Sequence, residues 1–116
     1  MVPSNITVEA GQKYSFSASG EWTDLREVTG PDGYMNDKVA RAKDKLRFTK
    51  EDAIFFTLIG CVGADPSAPE NCFKVGSFLP EWHVPKNGGL YFYANDLPET
   101  YGNNQGAIQL TVTKLV

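Results

Sequence analysis

Residues Ala107–Thr113 alternate without a slip, with Ile108, Leu110 and Val112 between Gln109, Thr111 and Thr113. Successive side chains of a strand point to opposite faces, and a period of two cannot be sorted onto one face of a helix. Such a segment is a strand with one wet face and one face that a second layer must cover. Lys13–Ser19 repeats the pattern, Tyr14, Phe16 and Ala18 alternating with Ser15, Ser17 and Ser19. Ser4–Glu9 precedes it across the turn Ala10-Gly11-Gln12. Ala53–Ile59 is β-branched, aromatic and almost continuously apolar, which predicts a central strand buried on both faces. Cys72–Ser77, Glu81–Val84 and Leu90–Ala94 are shorter strands, the last preceded by the turn signal Asn87-Gly88-Gly89. Asn36–Leu46 has helix-forming residues but no apolar stripe, so a long loop with at most a helical turn is expected. About seven or eight short strands at this spacing predict an all-β chain, a small jelly-roll β-sandwich.

The 116 residues suffice for one core, and 1–116 is read as one domain. Net charge is −3, and the basic residues between Lys38 and Lys50 are interleaved with Asp37, Asp44, Glu51 and Asp52. That is the pattern of a solvated segment and not of a nucleic-acid footprint. The longest apolar run, Ala53–Gly60, falls far short of the ~20 residues that span a bilayer, so no membrane insertion is expected. Met1–Asn5 has neither the basic start nor the apolar stretch of a secretory signal. Cys61 and Cys72 flank a segment rich in Pro, Gly, Asp and Ser, either as a disulfide closing a hairpin loop or as two free thiols. With His83 the sole histidine and four-ligand spacing missing, no zinc site is expected.

The segment richest in chemistry runs from Tyr93 to Gly106. Calcium takes six to eight oxygen ligands, and carboxylates, amide oxygens and backbone carbonyls all serve. Between two predicted strands this loop holds the carboxylate of Asp96 and the amides of Asn103 and Asn104. Thr100 is placed to turn its main-chain carbonyl into the same concavity. Pro98 stiffens the turn, and Gly102 and Gly106 permit backbone conformations that bring carbonyls inward. A donor set with so little charge leaves the field of the ion available to polarise an incoming hydroxyl. The loop is not an EF-hand, because Tyr101 stands where that motif needs glycine and Ala107 where it needs glutamate.

The run Asn95-Asp96, Pro98, Thr100-Tyr101-Gly102-Asn103-Asn104 and Gly106 resembles the PA-IL-like family of bacterial calcium-dependent galactose-binding lectins. Val8-Glu9-Ala10-Gly11, Ala18-Ser19-Gly20 with Trp22, Gly30-Pro31-Asp32-Gly33, Leu58-Ile59-Gly60 and Val84-Pro85 follow the family's order. The resemblance implies a jelly roll with one calcium at its edge, ligated directly by two adjacent hydroxyls of a terminal galactose. It implies ligands from Asp96, Asn103, Asn104 and the Thr100 carbonyl, plus a main-chain carbonyl at Asp24 or Leu25. Asp96 and Asn103 would also hydrogen-bond the sugar. The family's sugar-contacting histidine and glutamine fall at Asp37 and about Ala40, so neither is kept, although Asp37 can bond a hydroxyl.

The remaining candidates are fewer. Trp22 follows Gly20 near the predicted ligand loop and is a candidate for lining the sugar site. Trp82 is expected in packing, and His83 at the surface, since no nucleophile pattern accompanies it. Asp32, Asp37 and Asp96 could converge as carboxylates for glycoside hydrolysis, but a chain this small rarely forms the deep cleft required. The sequon Asn5-Ile6-Thr7 is read as accidental. The expected function is a non-enzymatic lectin or carbohydrate-binding domain using Ca2+, with a terminal galactoside as partner and action outside the cell or at its surface. Weak single-site affinity calls for a homo-oligomer or attachment to a larger chain. The alternatives are a β-sandwich interaction module with structural calcium, and an accessory domain of a larger hydrolase or toxin.

Overall fold

The computed structural model describes residues 2–24, 27–34, 46, 48–49, 51, 53–63, 68–95 and 104–115. The strands are β1 (Val2–Val8), β2 (Lys13–Asp24), β3 (Glu27–Thr29), β4 (Asp32–Tyr34), β5 (Phe55–Val62), β6 (Cys72–Lys74), β7 (Phe78–His83), β8 (Gly88–Ala94) and β9 (Asn104–Leu115). They form the expected β-sandwich of two antiparallel sheets. One sheet runs β1-β8-β5-β4, with β6 also on β5. In the other, β2 carries β3 and β7 along one side and β9 along the other. No helix among the described residues is long and apolar enough to cross a membrane.

The alternation of the sequence becomes the inside and outside of the second sheet. Tyr14 and Phe16 of β2 are buried, while Ser17 and Ser19 are exposed. Ile108, Leu110 and Val112 of β9 pack half-buried against the core, and Gln109, Thr111 and Thr113 face water. The first sheet is covered on both sides. Leu58 and Val62 of β5 join Phe16, Leu90 and Phe92 between the sheets. On the outer side, Ile59 and Cys61 pack with Tyr93 beneath Phe48 and Ala53. The continuously apolar run in β5 follows from that double cover. At Gly60, paired with Phe73, a Cβ would come within 2.5 Å of the Phe73 ring. That ring stacks on Trp82 at 4.0 Å, so Trp82, half-buried, packs against the core as expected.

Several boundaries differ from the sequence reading. The central strand is Phe55–Val62 instead of Ala53–Ile59. Ala53 and Ile54 lead into it as part of the segment that folds over the outer face, and Phe56 takes a left-handed φ of 62°. β6 stops at Lys74 instead of Ser77, because the amides of Val75 and Gly76 both donate to the Leu58 carbonyl. The Asp32 carboxylate then accepts from Ser77 N–H at 2.7 Å. β3 and β4, three residues each, surround Gly30-Pro31 and were too short to show a period. β7 begins at Phe78, earlier than Glu81, and β2 extends beyond Ser19 to Asp24. The expected loop Asn36–Leu46 lies outside the described residues except for buried Leu46. Cys61 and Cys72 face each other across β5 and β6 and are joined, with an S–S distance of 2.09 Å. Closing a loop of this length contributes about 2–3 kcal/mol.

Candidate calcium and glycan site

The site is framed by strand ends that the topology brings to one end of the sandwich. β2 and β9 pair along their whole length, and the register ends on Asp24 opposite Asn104. Asp24 is also paired with Glu27, so the β2–β3 turn sits beside the start of β9. In the other sheet, Leu58 pairs with Ala94 and Phe55 with Tyr34. Trp22 ties the two sheets together there. Its ring meets Phe56 edge-on at 5.9 Å, and Phe56 meets Tyr34 in the same way at 6.0 Å.

Asn95 fixes the root of the loop that follows β8. It is completely buried, and a buried amide without partners would be strongly destabilising. Here its Oδ1 accepts from Phe48 N–H at 3.0 Å, while Nδ2 donates to the carbonyls of Phe48 at 2.7 Å and Ile54 at 3.2 Å. Its main chain is held as well: Asn95 N–H donates to Thr57 O, and Asn95 O accepts from Phe56 N–H. Both ends of the amide are committed to the protein, so Asn95 is a clamp and not a ligand, although it stands in the run that carries the family resemblance. Asp96 follows it directly in the sequence, and β9 starts at Asn104.

Of the ligands predicted from sequence, the structure brings the backbones of Asp24 and Asn104 together as paired residues. Leu25, Asp37, Asp96, Thr100 and Asn103 lie outside the described residues. Trp22 points between the sheets, half-buried, with its Nε1 shielded from solvent and without a hydrogen-bond partner among the described residues. Asp32 is tied to the Gly76-Ser77 turn. His83 is exposed beside Glu81 at 3.2 Å, and Glu81 also reaches Lys13 at 3.9 Å. Among the described residues no three His, Cys, Asp or Glu side chains gather into a metal cluster.

Sequence reasoning missed the Asn95 clamp and the aromatic tie of Trp22, Phe56 and Tyr34. A signal for the first was present. Asn95 directly continues the apolar strand Leu90–Ala94, and a polar residue that such a strand carries inward needs partners. The tie gave no such signal, since it joins residues from strands whose pairing the sequence does not state.

A comparison with solved structures finds the chain similar to the N-terminal domain of EclA, a PllA-like lectin. The two share 20% of residues at a TM-score of 0.70, over 98% of this chain and 86% of that one. No protein-family model matches the chain, and no curated protein matches it. At that identity the likeness extends to architecture, and the chain has the β-sandwich fold of a lectin domain.

Proposed function

We propose that this chain is a non-catalytic carbohydrate-binding domain that holds a glycan through a calcium ion. The carrying observation is the β2–β9 register, which sets Asp24 against Asn104 at the end of the sandwich where the Asn95 clamp launches the loop. A main-chain carbonyl at Asp24 or Leu25 and the donors Asp96, Thr100, Asn103 and Asn104 would thereby converge from two sides. These oxygens fit a hard cation and leave part of the six to eight positions calcium takes open to ligand. Bound calcium would polarise adjacent sugar hydroxyls, a role that needs no acid–base pair.

The resemblance to PA-IL-like lectins and the shared fold with a lectin domain support a glycan as ligand. A terminal galactoside is the first candidate, with Asp96, Asn103, Thr100 and Asp37 as its contacts. Trp22 serves best as the floor of the site, because its ring is turned against Phe56. The Cys61–Cys72 bond suits an oxidising compartment, which fits action outside the cell. Calorimetry with galactosides, in saturating calcium and again with chelator, tests the reading. Heat that disappears on chelation is the expected result; silence toward a broad glycan set in calcium contradicts it.

A further inference from the structure

We propose that the Cys61–Cys72 bond governs the loop after Asn95: oxidation tightens its root and reduction slackens it. The effect on Asn95 stands alone, whereas the effect on calcium rests on the function proposed above. Cys61 and Cys72 face each other across β5 and β6, on the outer side of the first sheet. There Cys61, fully buried, packs in one cluster with Phe48, Ala53, Ile59 and Tyr93, and half-buried Cys72 lies against the same cluster. Phe48 gives the Asn95 amide both a donor and an acceptor. The disulfide and the clamp therefore share a close-packed neighbour.

A second connection runs through hydrogen bonds. Just beyond Cys72 on β6, the Lys74 N–H donates to the Glu51 carboxylate at 2.6 Å. Glu51 takes a left-handed φ of 57°, which is uncommon outside glycine, asparagine and aspartate and persists only where surroundings hold it. On either side of Glu51 in the sequence, Phe48 and Ile54 supply the three hydrogen bonds of the Asn95 side chain. Phe48, Glu51 and Ile54 thus form a strap. One end is tied to β6, which the disulfide joins to β5, and the other to the residue that launches the loop.

Reduction by a dithiol starts at Cys72, the less buried partner: a reductant thiolate attacks its sulfur and Cys61 leaves as the thiolate. The second reductant thiolate then displaces Cys72 and closes the reductant's own disulfide. Both cysteines take up protons, and two electrons have passed from the dithiol to the protein. The new thiols meet only in van der Waals contact where a bond joined them. A close-packed cluster accommodates that change by shifting its neighbours, Phe48 among them. Coupling of this kind is reciprocal, so whatever factor reduction takes from calcium affinity, bound calcium adds to the resistance of the disulfide. In a reducing compartment the site stays slack, and arrival in an oxidising one switches it on.

Amide exchange and calorimetry on the full chain, oxidised and then reduced with dithiothreitol, provide the test. The Phe48 amide reports its bond to Asn95, and reduction should speed its exchange about tenfold more than that of the amides along β2. Equal acceleration at both places, or an unchanged Phe48 amide, would overturn the proposal. Calcium should bind the reduced chain about tenfold more weakly. Saturating calcium should lower the potential of the Cys61–Cys72 couple by the same factor, about 30 mV. Equal calcium affinity in the two forms would overturn the coupling. If the oxidised chain takes up no calcium, the proposed function fails, and amide exchange alone decides the link from disulfide to Asn95. Glu51→Asn tolerates the left-handed φ but is one methylene shorter, and should speed Phe48 exchange with the disulfide intact; no change there would overturn the strap. Where the bond resists dithiothreitol, C61A/C72A supplies the chain without it and should show the same signatures as reduction.

Discussion

The two sheets are made of similar residues but solve different problems. The sheet built on β5 and β8 is covered twice, by the opposite sheet and by Phe48 and Ala53 on its outer side. The sheet built on β2 and β9 is covered once and presents Ser17, Ser19, Gln109, Thr111 and Thr113 to water. Sequence period therefore reports how many faces of a strand are dry. β5 is continuous because both its faces are dry, and β9 alternates because one is wet. The candidate site lies where the two regimes meet. Its root, Asn95, is clamped in the doubly covered sheet, and its far side, Asp24 and Asn104, belongs to the singly covered one.

The contrast can be broken by substitution. Leu58→Ala empties a side chain buried between the sheets and should destabilise the domain by about 3–4 kcal/mol in urea unfolding. A loss near 1 kcal/mol would mean that the core collapses readily around β5. Asn95→Ala should follow closely, at about 3 kcal/mol, because the Phe48 N–H and the Phe48 and Ile54 carbonyls lose their partner. It should also weaken calcium binding by loosening the root of the loop, measurable by calorimetry under conditions where the variant is folded.

Leu110→Ala is the counterpart of Leu58→Ala on the singly covered sheet. Half-buried on β9, it should lose only about 1 kcal/mol. Equal losses at the two leucines would erase the distinction between the sheets. The smallest effect is expected next door to one of the largest. Asp96→Ala in calcium-free buffer should shift stability by less than about 0.5 kcal/mol. In the same protein, a calcium titration should show no binding. Neighbouring residues, one a clamp and one a ligand, would then separate by opposite signatures.

Much of this was legible in the chain. Tyr14-Phe16-Ala18 and Ile108-Leu110-Val112 announced their inward faces, and the run from Ala53 announced a strand dry on both sides. β3 and β4, three residues each on either side of Gly30-Pro31, could not announce themselves, being shorter than the patterns that reveal strands. At the site, oxygen-rich composition marked the loop after Asn95, but composition does not separate a ligand from a clamp. Asn95 and Asn104 are the same residue type, and the surroundings of Asn95 decide its role: burial and three side-chain hydrogen bonds. The disulfide was undecided for a similar reason. Two cysteines flanking a turn-rich segment become a bond only when β5 and β6 set them opposite each other.

The most direct measurement is diffraction from crystals grown with calcium and a galactoside. One ion is expected at the end of the sandwich beside the Asp24–Asn104 pair. It should be bound by Asp96, Asn103, Asn104, the Thr100 carbonyl and a main-chain carbonyl at Asp24 or Leu25, with two sugar hydroxyls completing the shell. An ion enclosed entirely by protein oxygens with no sugar on it, or a sugar bound elsewhere without the ion, would contradict it.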